Sequence, residues 1–257
     1  MENTNDRSLN WSTEGQAAGT RSAACLVFQA YSVFFFLRAV RNRMAGIFAD
    51  LPYHSTPDNL PLVLASGSPR RAELLHAAGY SFEICPADPN VECGVCSRAT
   101  PPELVAKYAF RKAADVVRQQ PQALILAADT VGAFNGQALG KPIDRQHARE
   151  MLQLLRGQVH HVFTGICLWH APRAVCTVEV VGTRLFLDNV ADDALASYLD
   201  TNLWEGKAGA FGYQDGVDWL QVLDGSESNV VGLPMERLAE MLRDFDRLAI
   251  PIDQAVL

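Results

Sequence analysis

Between Leu62 and Arg71 the chain passes from an extended to a helical backbone within four residues, and few local structures accommodate so abrupt a change. The apolar run 62–65 reads as a buried strand and Ser66-Gly67 as a tight turn. Ser68 then serves as an N-cap, with Pro69 at the first helical position. The first turn of a helix exposes unpaired amide donors and partial positive charge. Arg70 and Arg71 are therefore misplaced unless a phosphate-like anion sits among them, the plain alternative being that both point into water.

A chain of 257 residues, 49% of them apolar, can bury one substantial core or two lobes sharing a sheet. Its net charge of -7, without any basic block, argues against a nucleic-acid surface, which needs clustered Lys and Arg. Six cysteines, at 25, 85, 93, 96, 167 and 176, are scattered as in a protein of a reducing compartment, and a cytoplasmic location is expected. Cys93 and Cys96 form a lone C-x-x-C with no second pair at zinc spacing, which argues against a metal or redox centre there.

Residues 1–59 read as an N-terminal extension, disordered or the product of a mis-called start, ahead of a domain over 60–250. An uncharged run over 22–37 falls short of the ~20 residues that span a bilayer. Arg21 before it and Arg38, Arg41 and Arg43 after it would nevertheless suit a short anchor over 22–43. A start at Met44 is the preferred reading, and no membrane partner is expected unless that anchor is real.

Further along, residues 80–85 alternate like a strand, and the loop 86–92 brings two carboxylates, Asp88 and Glu92. A helix follows Thr100-Pro101-Pro102, with Leu104, Val105, Tyr108, Ala109 and Val116 as its apolar stripe and Lys112 in the middle. That lysine either snorkels to the surface or points into a cleft. The core strand 124–128 runs into Asp129-Thr130-Val131, and an aspartate set into a sheet is costly unless paired or bound to a cation. Asn135-Gly136 supplies a hairpin turn, and Gly140-Lys141-Pro142 an extended loop.

Asp144 caps a packing helix with Ala148, Met151, Leu152 and Leu155 on one face, ending at Gly157. Residues 159–169 and 176–187 read as long strands, in which His160 and His161 are one packed and one exposed side chain, and 192–199 as a short helix. Three glycines within seven residues around Lys207 give a backbone that can approach a ligand closely. Residues 219–223 read as a strand, Asp224-Gly225-Ser226 as a turn and 230–234 as the lead into a final helix.

In order, these motifs are S-G-S-P-R-R, V-E, a lysine helix, A-D-T, G-K-P, G-K-A-G-A-F-G-Y-Q and N-V-V-G-L-P. Over roughly residues 60–245 their succession closely resembles the Maf family of nucleoside triphosphate pyrophosphatases. The resemblance implies an α/β fold similar to the inosine-triphosphate pyrophosphatases: a twisted mixed sheet with flanking helices, two-lobed, around a central nucleotide cleft. Ser66, Arg70 and Arg71 match the family's phosphate-binding turn, Lys112, Lys141 and Lys207 its lysines, and Glu92 and Asp129 its acidic pair. The cysteine-containing segment 93–98 departs from the pattern and leaves Asp88 as an alternative to Glu92.

By that resemblance, Asp129 helps to hold Mg²⁺ or Mn²⁺ with Glu92 and acts as general base on a water attacking the α-phosphorus. Arg70, Arg71 and the three lysines stabilise the departing pyrophosphate. Arg70, Thr130 and Gln214 match the positions that mark the subgroup acting on dTTP and UTP, and an amide such as Gln214 can both donate to and accept from a pyrimidine edge. Removal of modified nucleotides and pairing into homodimers are further implications. A nucleotide-binding regulator of septum formation, without turnover, is the alternative from another functional class.

Overall fold

The computed structural model describes residues 55–92 and 99–248. The expectations for residues 1–54, including the anchor at 22–43, and for Cys93 and Cys96 fall outside the described residues. Seven strands form one mixed sheet: β1 (Leu62–Leu64), β2 (Glu83–Ile84), β3 (Leu124–Phe134), β4 (Gln137–Leu139), β5 (Gln158–His170), β6 (Val175–Leu187) and β7 (Leu220–Asp224). The spatial order is β2-β1-β3-β5-β6-β7, with β4 paired to β3 off that path. β1 runs parallel to β2 and β3, and every other pairing is antiparallel.

Among the described residues six helices accompany this sheet: α1 (Pro69–Ala77), α2 (Pro101–Gln119), α3 (Arg145–Leu155), α4 (Asp192–Asp200), α5 (Glu227–Val231) and α6 (Met235–Leu248). The α/β class and the flanked mixed sheet agree with the expectation. Among the described residues, no helix is long and apolar enough to cross a membrane.

Alternation along β3 divides the core in two. Ile125 and Ala127 face α2 and pack with Ala109, Ala113, Val116 and Cys167, whereas Leu124, Leu126 and Ala128 face the larger core built with α1, α3 and α6. Asp129 continues the first row and Thr130 the second. The middle of one long strand thus presents a carboxylate on one face and a hydroxyl on the other. The helix α2 backbone lies directly on β5 at Gly165, opposite Asp129 in the ladder, where a Cβ would meet the Val105 carbonyl oxygen at 2.4 Å. Only glycine permits that approach.

Several elements follow the sequence closely. The β3–β4 hairpin turns at Asn135 (φ 50°) and Gly136 (φ 75°), both left-handed. Helix α3 buries Ala148, Met151, Leu152 and Leu155, and Asp144 caps it by accepting from the His147 amide at 2.7 Å. His160 is buried and His161 exposed.

Others differ. The strand expected over 80–85 contracts to Glu83–Ile84, because only two residues there find a parallel partner in β1. Ser68 occupies the N-cap of α1 without capping through its side chain. The lead into the last helix is interrupted by α5, capped by Ser226 accepting from the Asn229 amide. Within 1–59, Pro57–Asn59 form a 3-10 turn with Pro57 buried, and Asp58 pairs with Arg173.

Candidate active site

A cavity of about 490 Å³ opens where β3 emerges between α1, α2 and the glycine-rich loop, a size suited to a nucleotide. Arg70, Arg71, Lys112, Lys141 and Lys207 all reach it, as do Glu92, Asp129 and Thr130. Residues spread from Arg70 to Lys207 therefore converge for reasons that can be traced element by element.

Helix α2 carries two ridges. Val105, Ala109, Ala113 and Val116 are buried against the sheet, while Leu104, Tyr108 and Lys112, spaced four residues apart, line the cavity. Leu104 and Tyr108 thus belong to the cleft wall, a correction to the single apolar stripe expected from periodicity. Lys112 points into the cleft rather than snorkelling: its Nζ lies 2.7 Å from Glu92 Oε1 and 2.6 Å from Asp129 Oδ1. Burial works to raise the Glu92 carboxyl, but the Lys112 hydrogen bond and charge, aided by Lys141 and Arg71, outweigh it and hold that carboxyl below its usual range.

The acid beside Lys112 is Glu92, delivered by the turn Pro89–Glu92. Asp88 is used otherwise, its Oδ1 accepting from the Asn90 amide at 2.8 Å and its own amide donating to Asp115. Among the described residues no group of three or more His, Cys, Asp or Glu converges. The acidic set of the cavity is Glu92 and Asp129, whose oxygens meet at one point now taken by an ammonium. Two carboxylates aimed at one cationic centre fit a hard divalent ion that completes its shell with water and phosphate oxygens.

The two adjacent arginines take different parts. Arg71 is buried, donating from Nε to the Gly232 carbonyl (2.8 Å), from Nη1 to Ser66 Oγ (2.9 Å) and from Nη2 to Thr130 Oγ1 (3.0 Å). Thr130 Oγ1 is in turn 2.9 Å from Thr164 Oγ1. Burial lowers the Arg71 pKa, while Asp129 opposes that shift and the neighbouring Arg70 adds to it. Gly232, at φ 125°, turns its carbonyl toward Arg71 in a conformation that L side chains rarely adopt. Ser66, expected to touch substrate, is buried behind Arg71 and holds it.

Arg70 is half-buried at the cavity wall, where desolvation lowers its pKa and the charges of Asp215 and Glu73 oppose the shift. Lys141 is exposed on the G-K-P loop. That loop is tied to the glycine-rich one by the Gly209 amide donating to the Gly140 carbonyl at 3.1 Å, which brings Lys141 and Lys207 to the same cavity. Lys207 is buried and ion-paired with Asp215. The Gln214 side chain lies outside the described part of the structure, and its backbone sits in the 3-10 turn Tyr213–Asp215.

Sequence reasoning missed Asp215, the Gly232 carbonyl and Glu73. Asp215 lies eight residues after Lys207 in a loop without periodicity, so no spacing rule relates the two. Glu73, one turn after Arg70 on α1, could have been flagged by its position. Burial pushes its carboxyl up to about 7, and its Oε2 is buried without a hydrogen-bond partner among the described residues.

The same chain is matched over residues 61–245 by the family model described as "Maf-like protein". A dTTP/UTP pyrophosphatase of Rhodopirellula baltica is 57% identical over 202 residues, covering 78% of this chain and 89% of that protein. Proteins of the same name from Pelotomaculum thermopropionicum and Geotalea uraniireducens are 40% and 38% identical, over 72% and 71% of this chain and 96% and 93% of theirs. With the ordered motifs converging on one cavity and the family match spanning the whole described sheet, this chain belongs to the Maf family.

Proposed function

We propose that this chain hydrolyses dTTP and UTP to the nucleoside monophosphate and pyrophosphate. The observation that carries the reading is the convergence of Arg70, Lys112, Lys141 and Lys207 with Glu92 and Asp129 on one cavity, in a chain 57% identical to a protein named for that activity. The relatives reported above bear an enzyme's name, which favours turnover over a regulator that only binds. The scattered cysteines support a cytoplasmic setting.

The chemistry follows from charge placement. Water attacks the α-phosphorus in line, forming a new P–O bond as the bridge to the β-phosphoryl group breaks and pyrophosphate leaves. Asp129 Oδ1 is the oxygen that faces Lys112 in this structure, and Oδ2 is the one left to take the proton from that water. Arg70, Lys141 and Lys207 line the cavity where the negative charge of the leaving group collects. Arg71, held by neutral oxygens, fixes the turn that carries Arg70.

Glu92 and Asp129 would hold Mg²⁺ or Mn²⁺ once Lys112 moves from between them, and the bound ion supplies charge neutralisation to the polyphosphate. Arg70, Thr130 and Gln214 are the residues proposed to select the pyrimidine, and modified pyrimidine nucleotides are proposed as further substrates. Incubation with dTTP and Mg²⁺, followed by ion-exchange separation, is expected to give dTMP and pyrophosphate in equal amounts. Formation of dTDP and orthophosphate, or no product at all, would overturn the reading.

A further inference from the structure

Lys207 and Asp215 form the most deeply buried ion pair of the described structure, with side-chain exposures of 10% and 3%. Lys207 reaches the cavity and Asp215 does not line it. The carboxylate is fixed from both sides: Oδ1 takes the Lys207 ammonium, and Oδ2 accepts from the Tyr198 hydroxyl at 2.8 Å. Tyr198 projects from α4, itself buried and packed edge-on against Trp219. A rigid helix thereby orients a loop carboxylate, which orients a loop lysine.

We infer that Asp215, oriented by Tyr198, is a positioning residue that holds the Lys207 ammonium in place to receive the polyphosphate of the substrate. This rests on the proposed pyrophosphatase reading and adds to it residues that touch no substrate. The physical need is plain. A lysine on a glycine-rich loop has four rotatable side-chain bonds and a flexible backbone beneath them, and would lose its orientation without an internal partner. Burial among apolar groups also acts against its charge, lowering the Lys207 pKa, and Asp215 is the charge that opposes this loss, with Arg70 acting on the same side as burial. The groups facing the ammonium are Asp215 from its own loop, Arg70 from α1 and, through Asp215, Tyr198 from α4.

The test is a mutant cycle on the full chain. Asp215→Asn keeps the shape and removes the charge, and Tyr198→Phe keeps the ring and removes the hydroxyl. Asp215→Asn is expected to lower kcat/KM for dTTP roughly 10–100-fold, and Tyr198→Phe a few-fold, on the order of the loss when a charge-assisted partner is removed. Because Asp215 acts through Lys207, the double variant Asp215→Asn/Lys207→Ala should be no worse than Lys207→Ala alone. The alkaline limb of the Asp215→Asn pH profile should move to lower pH, a displacement that loss of packing would not cause.

The same cycle read by calorimetric binding of inorganic tripolyphosphate separates the two ideas. If the parent binds tripolyphosphate but turns over no nucleotide, the pyrophosphatase reading fails while non-additive binding losses sustain the Asp215 assignment. Additive losses in both readouts, full activity in a folded Asp215→Asn, or a parent that binds no tripolyphosphate would overturn it.

Discussion

Two cationic side chains meet at the middle of β3, one from each face, and they are held in opposite ways. On the α2 face Lys112 is bracketed by two anions, Glu92 and Asp129; on the other face Arg71 is bracketed by three neutral oxygens, those of Ser66, Thr130 and Gly232. An ammonium between carboxylates can exchange partners, because phosphate or a divalent ion can substitute for either side of the pair at little net change in local charge. A buried guanidinium donating to a backbone carbonyl and two hydroxyls has no such substitute, and its geometry is fixed by the fold. The difference separates the part of the cavity that does chemistry from the part that frames it.

The comparison breaks most sharply at Asp129. Asp129→Asn removes the proposed proton acceptor and one partner of Lys112, and should reduce kcat by about 10³-fold or more while the protein still melts cooperatively. Steady-state assays with dTTP alongside calorimetric melting check both halves. Arg71→Met should do the reverse. It removes the guanidinium bonds to the Gly232 carbonyl and two hydroxyls, lowering stability by about 3 kcal/mol. Denaturant unfolding measures that loss, and an unchanged midpoint would place Arg71 with the exchangeable cations instead.

Lys112 and Arg71 differed in how well the sequence exposed them. A lysine interrupting an apolar helical stripe is visible from periodicity alone, and so is an acid at the end of a strand of small apolar residues, which is why Lys112 and Asp129 could be read in advance. Adjacent helical residues are about 100° apart around the axis, so Arg70 and Arg71 could not both face the same anion equally. Which of them turned inward was decided by the Gly232 carbonyl 161 positions away. No local pattern encodes such a contact. Asp215 was hidden for the same reason, and α5 because five residues are too few for a helical period to register. Glu92 was separated from Asp88 only by the turn that aims one at Lys112 and the other at the Asn90 amide.

Gly165 sharpens the comparison from below. Helix α2 rests on it, and the ridge bearing Lys112 keeps its height above Asp129 only while no side chain intervenes. Gly165→Ala would place a Cβ against backbone atoms of Val105 and Ala106, which cannot rotate away. The expected cost is about 2 kcal/mol of stability. The Lys112 side of the site should lose activity with it, since helix α2 must lift from the sheet. Unfolding curves and kcat of the single variant, set beside those of Arg71→Met, distinguish a displaced site from a weakened frame.

The smallest expected effects are the pH dependences of His160, which is buried, and Glu73, which is half-buried, on the framing side. Burial depresses His160 to about 4, below the ordinary 6.5, so the unfolded chain binds the proton first as pH falls. Its contribution to stability is present above about 6.5 and is lost as pH drops through 4. Glu73, raised by burial to about 7, has the opposite sign: the folded state holds the proton more tightly, so its contribution is present below about 4.5 and is lost as pH rises through 7. The two slopes oppose each other over the shared interval. His160→Phe should therefore flatten the acid side of a stability-versus-pH curve, and Glu73→Gln should flatten its neutral side. The Glu73 effect is the weaker, because that carboxyl is partly open to solvent and screened. If Glu73→Gln also left the pH dependence of KM for dTTP unchanged, the Glu73 carboxylate would act on the frame alone and leave the neighbouring Arg70 unaffected.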